Sequence, residues 1–500
     1  MNFFKKALCL TMAALLLLSV CACGTTTEEP ETTQAATVAG TDAGTEKQET
    51  LDIPDTRYDG TTLTFMTRDE NEWSTNEIFA EKDKFNESNI SEAVYTRNDM
   101  IFQNYGVTIN EYKVVTGEMT TKITNAVNAG DDEEFQAIIS NCPTTTSAST
   151  NGYIWNLNSD ETSSLDFTKS WWDSKLVEGM TISDMVFFAT GDLLTSDNDA
   201  TFCMMFNKKI AEDNKVPNLY ELVGNYEWTF DKLYEYEQLA VDDKDGDNKL
   251  DYEKDVAGFA MTNDVYYSML YAGGVKVIAK DEGTGDPVYA LDVDRAQSIA
   301  ESAQRIFSSK YIININNETT DNVVGVGKVC FGDGHALFLG EVLQCVERMR
   351  EYDVTFGVIP YPLYDTTQKE YHHMMHMTGS VVSIPRNING KDIEMVASMI
   401  EAMAYYSQDT LTKQYYEINL TSKYAKDEES GPMIDLILDS RVYDLSYYYG
   451  WGGLLDSLTN ALKEGGNAGV ASSSKTYKNK VERDMKRAIE TIEKKYASSK

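Results

Sequence analysis

Five hundred residues carry 80 acidic and 44 basic side chains, a formal net charge of −36. A chain this acidic repels phosphate backbones, which excludes nucleic acid as its main partner. An apolar fraction of 42% and a charged fraction of 25% fit a soluble globular chain, long enough for two or three cored domains.

The chain opens with Lys5 and Lys6 ahead of an apolar run from Ala7 to Leu18. Bases before a short apolar stretch form a signal-peptide pattern, and the run falls short of the roughly 20 residues that span a bilayer. The run ends Val20-Cys21-Ala22-Cys23, which resembles a bacterial lipobox. Small Ala22 before Cys23 makes Cys23 the lipidation residue and 1–22 the signal peptide. Lipid on Cys23 would hold the chain at the extracellular face of the cell membrane without a spanning helix. Residues 23–57 read as a disordered tether. Gly24 to Arg57 has eight acids, two bases and no aromatic, too little apolar area to offset its ordering entropy. Beyond it, Cys142, Cys203, Cys330 and Cys345 lack CxxC spacing and read as small buried side chains.

The body begins with a strand at Thr62 to Thr67, where apolar and polar residues alternate. A helix is expected from Glu92 to Tyr105, a short strand at Val107 to Ile109, a helix from Met119 to Asn128 and a strand at Phe135 to Ser140. Strands alternating with helices predict a parallel sheet with crossover helices. Ligands sit in loops at the carboxyl ends of such strands, here Arg68 to Trp73 and Asn141 to Pro143. Met185 to Ala189 and Ala200 to Phe206 read as strands. Helices follow at Lys209 to Asp213, Thr229 to Leu239 and Val293 to Phe307, the last carrying Ala296, Ile299, Ala300 and Ile306 on one face. Ala336 to Leu339 reads as a strand or a buried helix start, and Thr355 to Ile359 and Ser380 to Ile384 read as strands. Helices close the chain at Ile393 to Tyr406, Thr410 to Ile418 and Lys478 to Tyr496.

Several segments in order, Trp171-Trp172-Asp173, Phe188 to Asp192, Phe206-Asn207-Lys208, Glu227 to Leu233, Phe356 to Pro362 and Ser383 to Pro385, together resemble the extracellular solute-binding proteins of ABC importers, the carbohydrate-type family 1 group in particular. The resemblance runs from about Thr62 to about Trp451. It implies an α/β, two-lobed, periplasmic-binding-protein-like (type II) fold with hinge strands and an interlobe cleft. Met185 to Ala189 leading into Ala200 to Phe206, and Met377 to Ile384, are the expected hinge strands. The first lobe would combine 58–190 with 330–380, and the second 191–329 with 381–500. The resemblance further implies a monomeric lipoprotein that is no enzyme. It would capture an oligosaccharide or other sugar and deliver it to permease subunits of the membrane.

The acidic loop from Asp243 to Asp251 is similar to a calcium-loop pattern. Asp243, Asp245, Asp247 and Asp251 stand at positions 1, 3, 5 and 9, and Lys249 offers a carbonyl at position 7. Asn248 replaces the usual glycine, which its tolerance of the left-handed region allows. Lys254 replaces the final carboxylate, so Glu253 or Asp255 would have to substitute. A structural Ca2+ is expected, with a plain Asp/Gly turn as the alternative. The cluster His372, His373 and His376 lacks a Cys or Asp to complete a four-ligand metal site and reads as ligand-facing or exposed.

Sugar rings stack on aromatic faces and hydrogen-bond to planar polar groups. The aromatic candidates are Trp73, Trp172, Tyr271, Tyr449 and the glycine-flanked Trp451. The polar candidates are Arg68, Glu70, Asn141, Asp197, Asp199, Glu341 and His376. No GxSxG, HExxH or Walker A motif is present. A peptide-binding importer component is the alternative, and a surface glycoside hydrolase a more distant one.

Overall fold

The structure, a computed structural model, describes residues 49–69, 77–81, 89–319, 323–388, 391–416, 427, 429–463 and 469–497. The signal peptide, Cys23 and most of the expected tether lie outside these residues. Among the described residues, no helix is long and apolar enough to cross a membrane.

Two sheets organise the body. The first comprises β1 (Thr61–Arg68), β2 (Val107–Val114), β3 (Ala137–Asn141) and β11 (Ser380–Ser383), in the order β11-β3-β1-β2. The first three strands are parallel, linked by α1 (Asn89–Tyr105) and α2 (Thr116–Ala129), as the sequence pattern predicts. β11 joins antiparallel to β3, with Ser380 opposite Asn141. The second sheet has the order β10-β4-β9-β5-β8. Its strands are β4 (Phe202–Asn207), β5 (Ala257–Met261), β8 (Ile312–Asn314), β9 (Ala336–Val342) and β10 (Phe356–Ile359).

Side-chain alternation places a core on each face of the second sheet. Phe202, Met204 and Phe206 of β4 join one apolar cluster, and Cys203 and Met205 join another. The first of these clusters is continuous with Ile138 and Phe187 beside the first sheet. Local signals set the helix boundaries. The Asp292 carboxylate accepts the Arg295 N–H at 2.9 Å and caps α7 (Val293–Phe307), whose buried stripe is Ala296, Ile299, Ala300, Ala303 and Ile306. The Thr229 hydroxyl caps α5 (Phe230–Glu237) in the same way.

Three expectations need correction. Of residues 330–380, expected in the first lobe, those before Ser380 do not belong there. β9 is buried along its whole length and lies between β4 and β5, and β10 pairs with β4, so both strands are second-sheet strands. The chain returns to the first sheet only at β11, so residues 381–383 belong to the first lobe rather than the second. Met185 to Ala189 is not a strand. Its only ladder contact to the first sheet is Ala189 with Val382, whose N–H and C=O groups exchange bonds of 3.1 and 2.8 Å. The tether also ends before residue 57. Leu51 and Ile53 pack on the first-lobe core, and the Glu49 carboxylate accepts the Ser170 N–H and hydroxyl at 2.9 and 2.6 Å.

Over the first lobe lies α8 (Lys391–Ser407), packed on α1. Its Glu401 is 1% exposed and accepts both the Trp171 and the Trp172 indole N–H, at 3.0 and 2.8 Å. A buried donor left without an acceptor costs about 1–3 kcal/mol. Glu401→Ala is therefore expected to lower unfolding stability in urea by about 2–5 kcal/mol. Glu401→Gln, whose amide oxygen can serve only one indole, should lose roughly half as much.

Candidate functional site

The strand ends and the segments crossing between the sheets converge on one region. Arg68 ends β1, and its buried guanidinium donates to the Ser380 hydroxyl at 2.6 Å. Burial pulls its proton affinity down and Glu77 partly restores it. Asn141 ends β3, but the expected loop after it is a helix, α3 (Cys142–Asn151). The Asn141 side chain accepts the Thr144 N–H at 3.0 Å, and Pro143 fits the first turn because that turn needs no N–H from it. At the end of β9, the Glu341 carboxylate accepts the Val342 N–H at 3.0 Å, and burial pushes it up to about 7. His376 Nδ1 lies 2.6 Å from the Thr378 hydroxyl, and its Nε2 lies 3.7 Å from Asp264. Its ring meets Phe202 edge-on, and burial lowers its basicity against the pull of Asp264.

Met377, next along the crossing segment, ties this region to an aromatic cavity. Its carbonyl accepts the Cys142 N–H at 3.1 Å, and its own N–H donates to the Tyr447 hydroxyl at 3.3 Å. The cavity holds about 840 Å3. Pro143, Thr146, Ser147, Thr150 and Asn151 of α3 form one wall. Tyr447, Tyr448 and Tyr449, on α10 (Leu445–Tyr449), and Trp451 form the second. Asp484, Arg487 and Thr491 of α12 (Gly469–Tyr496) form the third. α3 packs beside the first sheet, whereas α12 also packs on α7 of the second lobe. Tyr449 and Trp451 lie with ring centroids 5.0 Å apart, tilted by 32°. Gly452 has a φ of +73°, and a Cβ there would lie 2.7 Å from the Val481 backbone. The glycine-rich turn is thus a close approach to α12 rather than an exposed loop, and Trp451 is only 6% exposed. The cavity combines π faces, hydroxyls, an amide, a carboxylate and a guanidinium, and its volume is in the range of ligand pockets.

The remaining expected contacts sit elsewhere. Trp172 lies in the first-lobe core, held by Glu401. Asp197 pairs with Arg441 at 3.1 Å, and burial pushes its carboxyl up to about 6. Asp199 accepts the Tyr415 hydroxyl at 2.8 Å and is pushed up to about 8. These acids are internal braces, since each is nine-tenths buried or more and engaged by another side chain. Tyr271, on α6 (Val265–Ala272), is buried against Tyr447 at 6.5 Å and sits behind the cavity wall. Glu70 and Trp73 lie outside the described residues. Sequence reasoning missed the α3 and α12 walls. Asn141 to Pro143 reads as a loop, although an Asn cap followed by Pro signals a helix start.

His373 cannot join a metal site, because both ring nitrogens are engaged. Its Nε2 accepts the Tyr361 N–H at 3.0 Å, and its Nδ1 lies 2.7 Å from the Ser440 hydroxyl. In the acidic loop, carboxylate oxygens of Asp243, Asp245 and Asp247 lie within 4.8 Å of one another. Asn248 adopts a φ of +64°, as position 6 requires. Two features depart from the calcium pattern. Asp251 pairs with Lys254 at 2.7 Å. Asp255 is buried and accepts the Lys244 and Asp251 N–H groups at 2.9 and 2.8 Å, so both its oxygens staple the loop ends. Three ligands, with Asp251 and the Lys249 carbonyl nearby in the chain, are what this loop offers. Cys142, Cys203, Cys330 and Cys345 are free and buried.

No protein-family model matches the chain, and no curated protein is similar to it in sequence. Solved structures are similar in fold. A cyclo/maltodextrin-binding protein complexed with maltotetraose is 14% identical with a TM-score of 0.53, and the match covers 88% of this chain and 98% of that one. An ABC substrate-binding protein from Listeria monocytogenes in complex with cycloalternan is 12% identical with a TM-score of 0.51, covering 88% and 100%. M. tuberculosis UspC is 12% identical with a TM-score of 0.54, covering 85% and 100%. The chain therefore has the two-lobed α/β fold of ABC solute-binding proteins across its body.

Proposed function

We propose that this protein is the solute-binding component of an ABC importer and that it captures an oligosaccharide without turning it over. The carrying observation is the cavity of about 840 Å3 lined by Tyr447, Tyr448, Tyr449 and Trp451 on one side and by polar groups of α3 and α12 on the others. Aromatic faces match the C–H faces of sugar rings, and Asn151, Asp484 and Arg487 match their hydroxyls. The bound ligands named for the similar structures, maltotetraose and cycloalternan, support the same class. Walls drawn from both lobes let ligand binding favour one lobe arrangement, which a membrane permease would read. Calorimetry against a glycan panel is expected to find a binder, with chromatography finding no product. Trp451→Ala should weaken that binding by tenfold or more and also cost about 3–5 kcal/mol of stability, because the indole is only 6% exposed, whereas Arg487→Ala, at an exposed position of the lining, should weaken binding with the unliganded fold intact. Product formation would favour a glycosidase, and binding of peptides alone would favour a peptide importer.

The acidic loop is proposed to hold a structural Ca2+ through Asp243, Asp245 and Asp247. Three carboxylates held this close, two of them exposed, repel one another unless a cation offsets them. Melting in calcium is expected to lie above melting in chelator, and Asp245→Asn should narrow the gap. Identical curves would discard the ion.

The Cys23 lipobox supports an extracellular, lipid-anchored location. Cys23→Ser is expected to release the protein from the membrane fraction into the medium, and retention would argue against lipidation at that residue.

A further inference from the structure

A second cavity, of about 340 Å3, lies where α4 (Ser174–Met180) of the first lobe meets β6 (Ile278–Lys280) and the 441–445 segment. Its charged lining is Lys175, Lys276, Lys280 and Arg441 against a single acid, Glu178. Four cations around one small space stand out in a chain of net charge −36. Like charges converge stably only where something offsets them.

Among the described residues, the chain's own acids pair directly with one of the four, Arg441. Its Nη2 lies 2.9 Å from Asp173, and its Nη1 lies 3.1 Å from both Asp197 and the Asn198 side-chain oxygen. Two of the three lysines meet neutral oxygens instead. Lys175 donates to the Asp439 carbonyl, and Lys280 reaches across to the Thr181 carbonyl. Arg441 Nε–H is buried and has no hydrogen-bond partner. Burial lowers Lys280 to about 8, with Asp286 and Glu178 opposing it only in part. An ammonium in that condition gains from a bound anion.

We propose that this cavity binds a tetrahedral oxyanion of the phosphate or sulfate type, held between Lys175 of the first lobe and Lys276 and Lys280 of the second. The donor geometry selects the class. A planar carboxylate is recognised best by two parallel guanidinium N–H groups, and here Nη1 and Nη2 are already engaged. Ammonium groups from separate elements suit an anion whose oxygens point in several directions. The site is distinct from the aromatic cavity and shares no lining residue with it.

Thermal melting of the purified protein, with no glycan present, tests this. Sodium phosphate is compared with sodium chloride at equal ionic strength. Phosphate at about 100-fold above its Kd is expected to raise the midpoint on the order of 3 °C, and sulfate should act likewise. Lys276→Gln, at an exposed position outside every hydrogen bond described above, should weaken calorimetric phosphate affinity about fivefold or more. Lys280→Gln should abolish it. An unchanged midpoint in phosphate would overturn the proposal, as would a shift that persists undiminished in Lys276→Gln. An equal shift in acetate would overturn the tetrahedral assignment. If Lys280→Gln fails to fold, the Lys276→Gln titration decides alone.

Discussion

The chain must pass between two sheets more than once, and where it does so neither sheet is present to pair its backbone polar groups. The structure meets this constraint by pairing the passing segments with one another. Phe202 N–H donates to the Met374 carbonyl at 3.0 Å, and His376 N–H to the Ala200 carbonyl at 2.8 Å. On the other side of the same segment, His373 N–H donates to Ser440 and Val442 N–H to His373, at 3.0 and 2.8 Å. Residues 373–376 are thus the middle rail of a short ladder whose outer rails are 200–202 and 440–442. Each rail leads directly into an element that matters for binding: β4, the Met377 tie to α3, and the Tyr447 to Trp451 turn. A buried backbone group left unpaired costs about as much as a lost hydrogen bond, so this ladder fixes where those elements emerge.

Side chains reinforce the ladder where charge is hardest to bury. Arg441 stands in one outer rail and binds Asp173 of the first lobe and Asp197 beside β4. Tyr443 adds a 2.7 Å bond to the same Asp173 oxygen that Arg441 meets. A buried ion pair is weak evidence for stability, since desolvation offsets much of the attraction. It is better understood as a registry device: with Asp197 buried and the Arg441 and Asp173 side chains only 11% and 6% exposed, a shift of one segment past another would strand a charge.

The sequence pattern made the local elements legible and left the long-range pairing hidden. The α7 boundaries Val293 and Phe307 follow from an Asp cap and a clean apolar stripe, both of which are local. The misplacement of 330–380 has a long-range cause: Ala336–Val342 reads as a buried strand in either lobe, and only its partners β4 and β5 assign it. Met185 to Ala189 shows the complementary failure. A short apolar run is compatible with a strand or with extended chain buried by side-chain packing, and periodicity cannot separate them. For the site, glycine-flanked Trp451 and neighbouring Tyr449 were readable as aromatic lining. Asp197, Asp199 and Trp172 were not readable as internal, because their partners Arg441, Tyr415 and Glu401 lie more than 200 residues away in the chain.

Those internal acids also change what the net charge means. Burial pushes Asp192, Glu341 and Glu401 up to about 7, and Asp199 and Glu237 up to about 8. Each group near its folded-state midpoint carries a fraction of a charge at neutral pH, so the folded chain is less negative than the formal −36. The Asp243 loop, unlike these, leaves Asp245 and Asp247 exposed to water. Cations, by contrast, are gathered: on α12, and around the cavity at Arg441. Acidity on this molecule is therefore a property of its solvated surface. Each cavity keeps a single acid in its lining, Asp484 in one and Glu178 in the other, so the first presents mainly aromatic faces and hydroxyls and the second mainly positive charge.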